Sequence, residues 1–392
     1  MAIETVDSRA RGLRRRHESL TTSALFRRLD WILMAALAAT VAYGLVAIAA
    51  ITRHDPGGSA LDRQSLYASA GALLFVVILL IDPDRYRRLQ KPIYISTLGV
   101  MLLVLALGSV SHGSKRWINV GFFTFQPSEF GKVVFVLALS GFLADRSRVI
   151  GSVRVPLYAI GLGLLPILLV FVQPDIGTAL VYGDALLAVL FFAGVRWLHL
   201  TILLALIVSV SLGVLWLLPA AGVNVLKPYQ AKRLTGFTHP TSDPQGATYN
   251  VTESVTAVGS GGVRGRGVLG ATQTRLDYLP AHETDFAFAS LAEQRGFLGS
   301  SLLLLLYLLI VWRGFRVVTS ARDQFSAIVA GGISFMFLFQ VFVNTAMTMG
   351  IAPITGIPLP FLSVGGSSMI TNFMAIGVLQ AIHMRAPGRR YA

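Results

Sequence analysis

No cysteine occurs among the 392 residues. That excludes a disulfide framework, a thiolate metal site and a cysteine nucleophile, and it leaves the redox compartment open. Charge is scarce as well. Asp, Glu, Lys and Arg make up 13% of the chain, about half the share of a soluble domain. Acidic residues are the scarcer sign, 19 against 33 basic, so the net charge is +14. What is abundant is apolar: 54% of the chain. These residues do not form amphipathic stripes. They come as unbroken runs such as Trp31 to Ile51, long enough to cross a hydrocarbon core of about 30 Å. A soluble enzyme, a disordered chain and a peripheral protein are excluded, and a polytopic membrane protein remains. The basic excess does not indicate nucleic acid, because no basic face interleaved with aromatics sits on a soluble domain.

The start of the chain has Arg9, Arg11 and Arg14 to Arg16, then an apolar stretch with Ala47-Ile48-Ala49 near its end. A cleavable signal has an apolar region of only about 7–15 residues. This one is longer, so it reads as a first transmembrane helix that is retained. Ten spans are expected near 31–51, 66–82, 92–110, 128–144, 156–173, 177–195, 198–218, 286–312, 325–347 and 364–383. The predicted fold is therefore an all-α polytopic membrane domain over 31–384, between a basic tail at 1–30 and a short tail at 385–392.

Basic residues set the orientation. Alternate loops hold Arg85, Arg87, Arg88 and Lys91; Arg146, Arg148 and Arg154; Arg196; and Arg313, Arg316 and Arg322. The opposite short loops hold only Arg53, Arg63, Lys115 and Arg116. That asymmetry puts both termini in the cytoplasm of a cell-membrane protein. One long outer loop, 219–284, is rich in Gly, Pro and Thr and shows no clear secondary structure. A loop of that length is usually functional or disordered.

Ionisable residues in or beside spans are rare and default to function. Lys115 and Arg116 stand on the outer side, against the topological grain, and suit either a phosphate-bearing ligand or lipid headgroups. Glu129 and Lys132 share a helix face, as a ligand site or as a self-neutralising ion pair. Asp175 is placed to cap the helix that follows it, and Asp184 is expected to face the bundle interior. Asp285 lies beside two Phe where the long loop re-enters the membrane. Partial desolvation there suits a general base, while Thr284 and Asp285 are equally typical helix caps. The run Gly259 to Gly270, with Arg264 and Arg266, formally matches a dinucleotide fingerprint but lacks a surrounding βαβ unit, so nucleotide binding is dismissed. It reads either as an anion-binding concavity or as a flexible loop. The loop Ile357 to Ser368 is stiffened by prolines and opened by glycines; tight helix packing through small residues would explain it equally well.

Taken in order, Lys115-Arg116-Trp117, Gln126-Pro127-Ser128-Glu129, Gln173-Pro174-Asp175-Ile176-Gly177-Thr178, Pro228-Tyr229-Gln230 with Arg233-Leu234, Asp243-Pro244, the glycine run, Thr284-Asp285-Phe286 and Pro360-Phe361 with Gly365-Gly366-Ser367-Ser368 form a series. As a set they resemble the shape, elongation, division and sporulation (SEDS) family of membrane glycosyltransferases, from the first span to the tenth. Gln173-Pro174-Asp175 and Ile354-Thr355-Gly356-Ile357-Pro358 look more like its rod-shape-determining RodA branch than its FtsW division branch.

The resemblance implies polymerisation of lipid II into peptidoglycan, with Asp285 as the essential acidic residue. It implies substrate contacts at Lys115, Arg116, Glu129, Lys132, Arg233, Ser363, Gly365, Gly366, Ser367 and Ser368, supported by Gln126, Ser128, Asp175, His282, Glu283, Thr284 and Glu293. It also implies a class B penicillin-binding protein as partner, within the elongation machinery. No organic cofactor is implied; a divalent cation, magnesium or manganese, could share the work of the basic residues. There are departures from the family pattern: Ala281 and Glu283 replace a Glu and a His, Val364 replaces an aromatic, and Glu253 stands where Gln is frequent. Two other classes compete, a flippase for the lipid-linked precursor and a non-catalytic scaffold for cell-wall synthases. A flippase needs polar groups through the membrane depth, whereas most here cluster on one side, Asp184 excepted.

Overall fold

The computed structural model describes residues 28–53, 59–107, 109–111, 114–119, 124–213 and 247–386. Helices lie over all ten expected segments. In chain order they are α1 (Trp31–Ile51), α2 (Ser59–Leu80), α3 (Pro83–Leu107), α4 (Pro127–Ala144), α5 (Arg154–Val172), α6 (Ile176–Phe192) and α7 (Trp197–Leu212). Then come α8 (Ala247–Ser260), the single turns α9 (Gly267–Gly270) and α10 (Thr272–Arg275), α11 (Ala287–Ser320), α12 (Gln324–Thr348) and α13 (Gly366–Met384). Seven of these, α1 to α5, α11 and α12, are long and apolar enough to cross a membrane, and α6 and α7 are shorter apolar helices. This is a multi-pass membrane architecture. Between α3 and α4 lies a small antiparallel sheet of β1 (Ser109–Ser111), β2 (Ser114–Asn119) and β3 (Thr124–Phe125), in that order.

Short carboxylates start the helices. Asp30 accepts from the Leu33 N–H at 3.1 Å, Asp175 from Thr178 at 3.1 Å and Asp323 from Ser326 at 2.9 Å, each satisfying a donor that the first turn leaves free. Pro83 and Pro127 open α3 and α4, where a missing N–H costs nothing.

Three expectations are corrected. Helix α11 runs to Ser320, beyond the expected end at 312, so Arg313 and Arg316 lie on the helix and not in a loop. The physical reason lies across the bundle: Arg313 meets Asp30 at 2.7 Å, and that carboxylate is 1% exposed, so the charge is satisfied within the bundle. The second correction concerns the long loop, whose described part is not structureless but carries α8, α9 and α10. The third concerns the glycine run, which is neither a flexible loop nor an open concavity. Gly296 breaks α11 at φ 64°, ψ −163°, and residues 261–266 dock on that break. Phe297 N–H donates to Gly262 O at 2.8 Å, Leu298 N–H to Val263 O at 3.1 Å and Arg266 N–H to Glu293 O at 2.9 Å. A Cβ on Gly265 would lie 2.2 Å from Gln294 O, and one on Gly296 2.2 Å from Gly265 N. Gly265 and Gly296 are there because two backbones touch.

Contacts fix the helix directions. Helix α1 runs antiparallel to α11, with Asp30 at Arg313, Tyr43 at Gly299 and Ala50 at Gln294. Helix α2 runs parallel to α13, with Gln64 at Gly365, Gly71 at Phe373 and Ile78 at Gly377. The bundle therefore has two unlike ends. One gathers the sheet, the turn at 173–175, the α8–α10 segment and the loop between α12 and α13. The other holds ion pairs: Asp30–Arg313, Asp84–Arg322 and Asp145–Arg87. Burial there would lower the Arg322 pKa, but hydrogen bonds and charge from Asp84 and Asp323 outweigh it and leave it raised.

Candidate active site

The loop between α12 and α13 is the hub of the motif-rich end. Its close approach to the helices is permitted by glycines: a Cβ on Gly44 of α1 would lie 2.5 Å from Phe361 O, and one on Gly177 of α6 2.4 Å from Thr355 O. Tyr307 of α11 donates to Pro360 O at 2.5 Å. Phe361 adopts φ +65°, a conformation that costs a non-glycine residue about 1–2 kcal/mol. Its ring packs edge-on to Phe373 at 5.3 Å, which holds it there.

From this hub hydrogen bonds reach the Thr284-Asp285-Phe286 segment. The Ser363 hydroxyl donates to Thr284 O at 2.6 Å and accepts from the Leu359 N–H at 2.9 Å. The Val364 N–H donates to Glu283 O at 2.9 Å. The segment itself is a tight turn about Ala281, at φ +53°, whose carbonyl accepts from the N–H groups of Thr284 and Phe286. Helix α11 starts at Ala287 with Phe286 at the cap position, so neither Thr284 nor Asp285 is the cap that their residue types allowed. Asp285 is half-buried at this end of the bundle. His282 Nδ1 lies 3.3 Å from Leu279 O and 3.7 Å from Asp277, and Ser290 donates to the His282 carbonyl.

Hydrogen bonds also run the other way. Ser367, in the first turn of α13, donates to Thr124 O at 3.1 Å and accepts from the Gln126 N–H at 2.9 Å. Gln126 Nε2 in turn donates to Asp175 at 2.9 Å and to Ser128 at 3.2 Å. Thr124 pairs with Asn119 of β2, the strand on which Lys115 and Arg116 stand. Gly365 precedes α13, Gly366 is its first residue, and Ser368 accepts from Asn372 at 3.3 Å. Motifs hundreds of residues apart are thus one connected network.

Glu129 and Lys132 form the ion pair, at 2.8 Å, with side chains 4% and 3% exposed; Lys132 also reaches Gln340 at 3.3 Å. Glu293 is fully buried and caps α10, accepting from the N–H groups of Gln273 and Thr274 and from the Thr274 hydroxyl. Asp184 is buried, as expected. Arg233 lies outside the described residues. Two residues were missed by the sequence reading: Gln64 of α2, which donates to Ser363 O at 3.0 Å and accepts from the Gly365 N–H at 3.3 Å, and Asn344 of α12, which donates to Asp285 O at 3.2 Å and Ile357 O at 2.8 Å. A lone amide in an apolar helix was the available signal.

Comparison with known proteins gives a consistent picture. The family described as cell cycle protein, of the FtsW, RodA and SpoVE type, matches residues 25–387. Stage V sporulation protein E of Bacillus subtilis (strain 168) is 36% identical over 353 residues, covering 89% of this chain and 93% of that protein. The peptidoglycan glycosyltransferase MrdB of Escherichia coli (strain K12) is 35% identical over 355 residues, covering 91% and 93%. Among solved structures, a chain of a peptidoglycan synthase complex that coordinates polymerization and crosslinking is 30% identical, with a TM-score of 0.76 over 91% of this chain and 97% of that one. The rod shape determining protein RodA of Thermus thermophilus is 29% identical, with a TM-score of 0.67 over 91% and 96%.

Proposed function

This chain belongs to the FtsW/RodA/SpoVE family of cell cycle proteins, and from that membership we propose that it is a peptidoglycan glycosyltransferase that polymerises lipid II into glycan strands. In this reading the ten helices α1 to α7 and α11 to α13 cross the membrane, both termini are cytoplasmic, and the motif-rich end faces outward. The ion-paired end, rich in arginine, faces the cytoplasm. The observation that carries this reading is the convergence of the Glu283 to Asp285 backbone, the Ser363 loop and the Gln126–Asp175 pair at one end of the bundle.

The reaction joins two lipid-linked sugars. A hydroxyl of one attacks the anomeric carbon of the other, its proton passes to Asp285 as general base, and the carbon–oxygen bond to undecaprenyl pyrophosphate breaks. A single displacement inverts the anomeric centre. Pyrophosphate is a good leaving group, so no second carboxylic acid is needed, unlike in most glycoside hydrolases. It does need positive charge where its own charge develops, which Lys115 and Arg116 supply, assisted by Arg233. A divalent cation, magnesium or manganese, would share that work. Among the described residues no group of three or more His, Asp or Glu is gathered to hold one.

The motifs around Gln173 to Asp175 and Ile354 to Pro358 support a role in cell elongation and shape. The similarity to a chain from a complex of polymerization and crosslinking supports a class B penicillin-binding protein as partner. The test is glycan synthesis from purified lipid II in liposomes, with and without that transpeptidase. Asp285→Ala is expected to abolish polymer. Undiminished polymer from that variant sinks the base assignment, and lipid II translocation without polymer would favour a flippase.

A further inference from the structure

Asp285, read as the base, stands on a turn, not on a regular element, so something must hold its backbone. Four residues do so from outside the turn, three of them directly. Two come from the loop, through Ser363 to Thr284 O and Val364 to Glu283 O. The third is Asn344 Nδ2 to Asp285 O, and the same nitrogen reaches Ile357 O. Asn344 therefore ties the Asp285 segment directly to the start of the loop. The fourth acts one step back: Gln64 grips the Ser363 carbonyl with Nε2 and the Gly365 N–H with Oε1. Both amides are 0% exposed and both come from packed helices, α12 and α2.

The side-chain chemistry leaves little freedom. Both partners of the Asn344 amide are carbonyl oxygens, so the group facing them is the nitrogen, and its two hydrogens match two acceptors. Gln64 faces one acceptor and one donor, which the two ends of its amide satisfy from a single side chain. We propose that Asn344 and Gln64 are positioning residues of the transferase reaction, holding Asp285 at the distance from the acceptor hydroxyl that proton transfer requires. The inference rests on the reading of Asp285 as the base. Neither amide touches the reacting atoms; each acts through the backbone of the segment it holds. A displacement of about 1 Å in such a group can cost on the order of a hundredfold in rate.

The test uses the full-length protein in liposomes with lipid II. Asn344→Asp keeps the shape but turns an acceptor toward two carbonyls, and Asn344→Ala removes both bonds. Each is expected to lower kcat by about tenfold or more while KM stays within about threefold, with faster deuterium uptake confined to residues 281–286. Gln64→Glu keeps the acceptor for Gly365 and loses the donor to Ser363; it repeats the test from a second helix should the Asn344 variants fail to fold. An unchanged kcat in the folded variants overturns the proposal, as does a fall in kcat accompanied by uptake across the whole bundle. Asp285→Asn in the same assay separates the two levels. If it polymerises normally, the base assignment falls and takes the positioning role with it. If it is inactive while the amide variants keep their kcat, only the positioning role falls.

Discussion

Glu129 and Lys132 meet at 2.8 Å with almost no water access, so their value depends on each other. Removing one partner of such a pair leaves an uncompensated buried charge, at about 3–5 kcal/mol, whereas replacing both can be close to neutral. Lys132→Met should therefore lower the thermal unfolding midpoint in detergent sharply, and Glu129→Gln with Lys132→Met should recover most of the loss. A single variant as stable as the double would show that Glu129 has another cation. This pair was legible in the sequence because two charges three apart on an apolar helix admit few readings. Asn344 and Gln64 were not, since a lone amide has no spacing to read and its partners are backbone atoms far along the chain. Glu293 lies between these cases. Its position beside the Asp285 segment drew attention, but its work is to close α10, a turn that hydropathy does not reveal.

At the scale of elements, the break in α11 and the glycine turn that docks on it make the sharpest contrast. Gly262 and Gly265 both have positive φ, +51° and +81°, yet only Gly265 has another backbone in the place of its missing Cβ; around Gly262 there is open space. Gly262→Ala should cost only the conformational penalty, about 1–2 kcal/mol. Gly265→Ala must push the turn off α11, exposing residues 261–266 to limited proteolysis and reducing the folded fraction on size exclusion. Equal protease resistance in both variants would mean the turn is not held by that contact. The ten apolar segments could be read from sequence because each helix carries its own apolar run. The docking of a glycine run on a helix about thirty residues later is non-local, so composition suggested only an anion-binding concavity or a flexible loop. The extension of α11 to Ser320 escaped notice for a similar reason: an arginine reads as a loop residue until its buried Asp30 is known.

For the whole molecule, the two ends of the bundle make opposite predictions about access. The chain has no cysteine, so single introduced thiols can be labelled without background. Tyr278→Cys, at the motif-rich end and 50% exposed, should react with a membrane-impermeant maleimide on spheroplasts, and Val149→Cys, 55% exposed at the other end, only after permeabilisation. The reverse pattern would overturn the proposed orientation. The helix pairings also carry a consequence in time. Asp30 and Arg313 are 283 residues apart in sequence, and Gln64 and Ser363 are 299 apart. Synthesis at about 5–20 residues per second separates the members of each pair by roughly a quarter of a minute to a minute. The first helix is therefore in place long before the arginine that neutralises its cap has been made. Gln64 likewise waits for the loop it will grip until 299 further residues have been made. A chain halted anywhere between Asp285 and Gly365 carries the acidic residue without the complete loop that holds it, so the network around that residue closes only once the chain has passed Gly365.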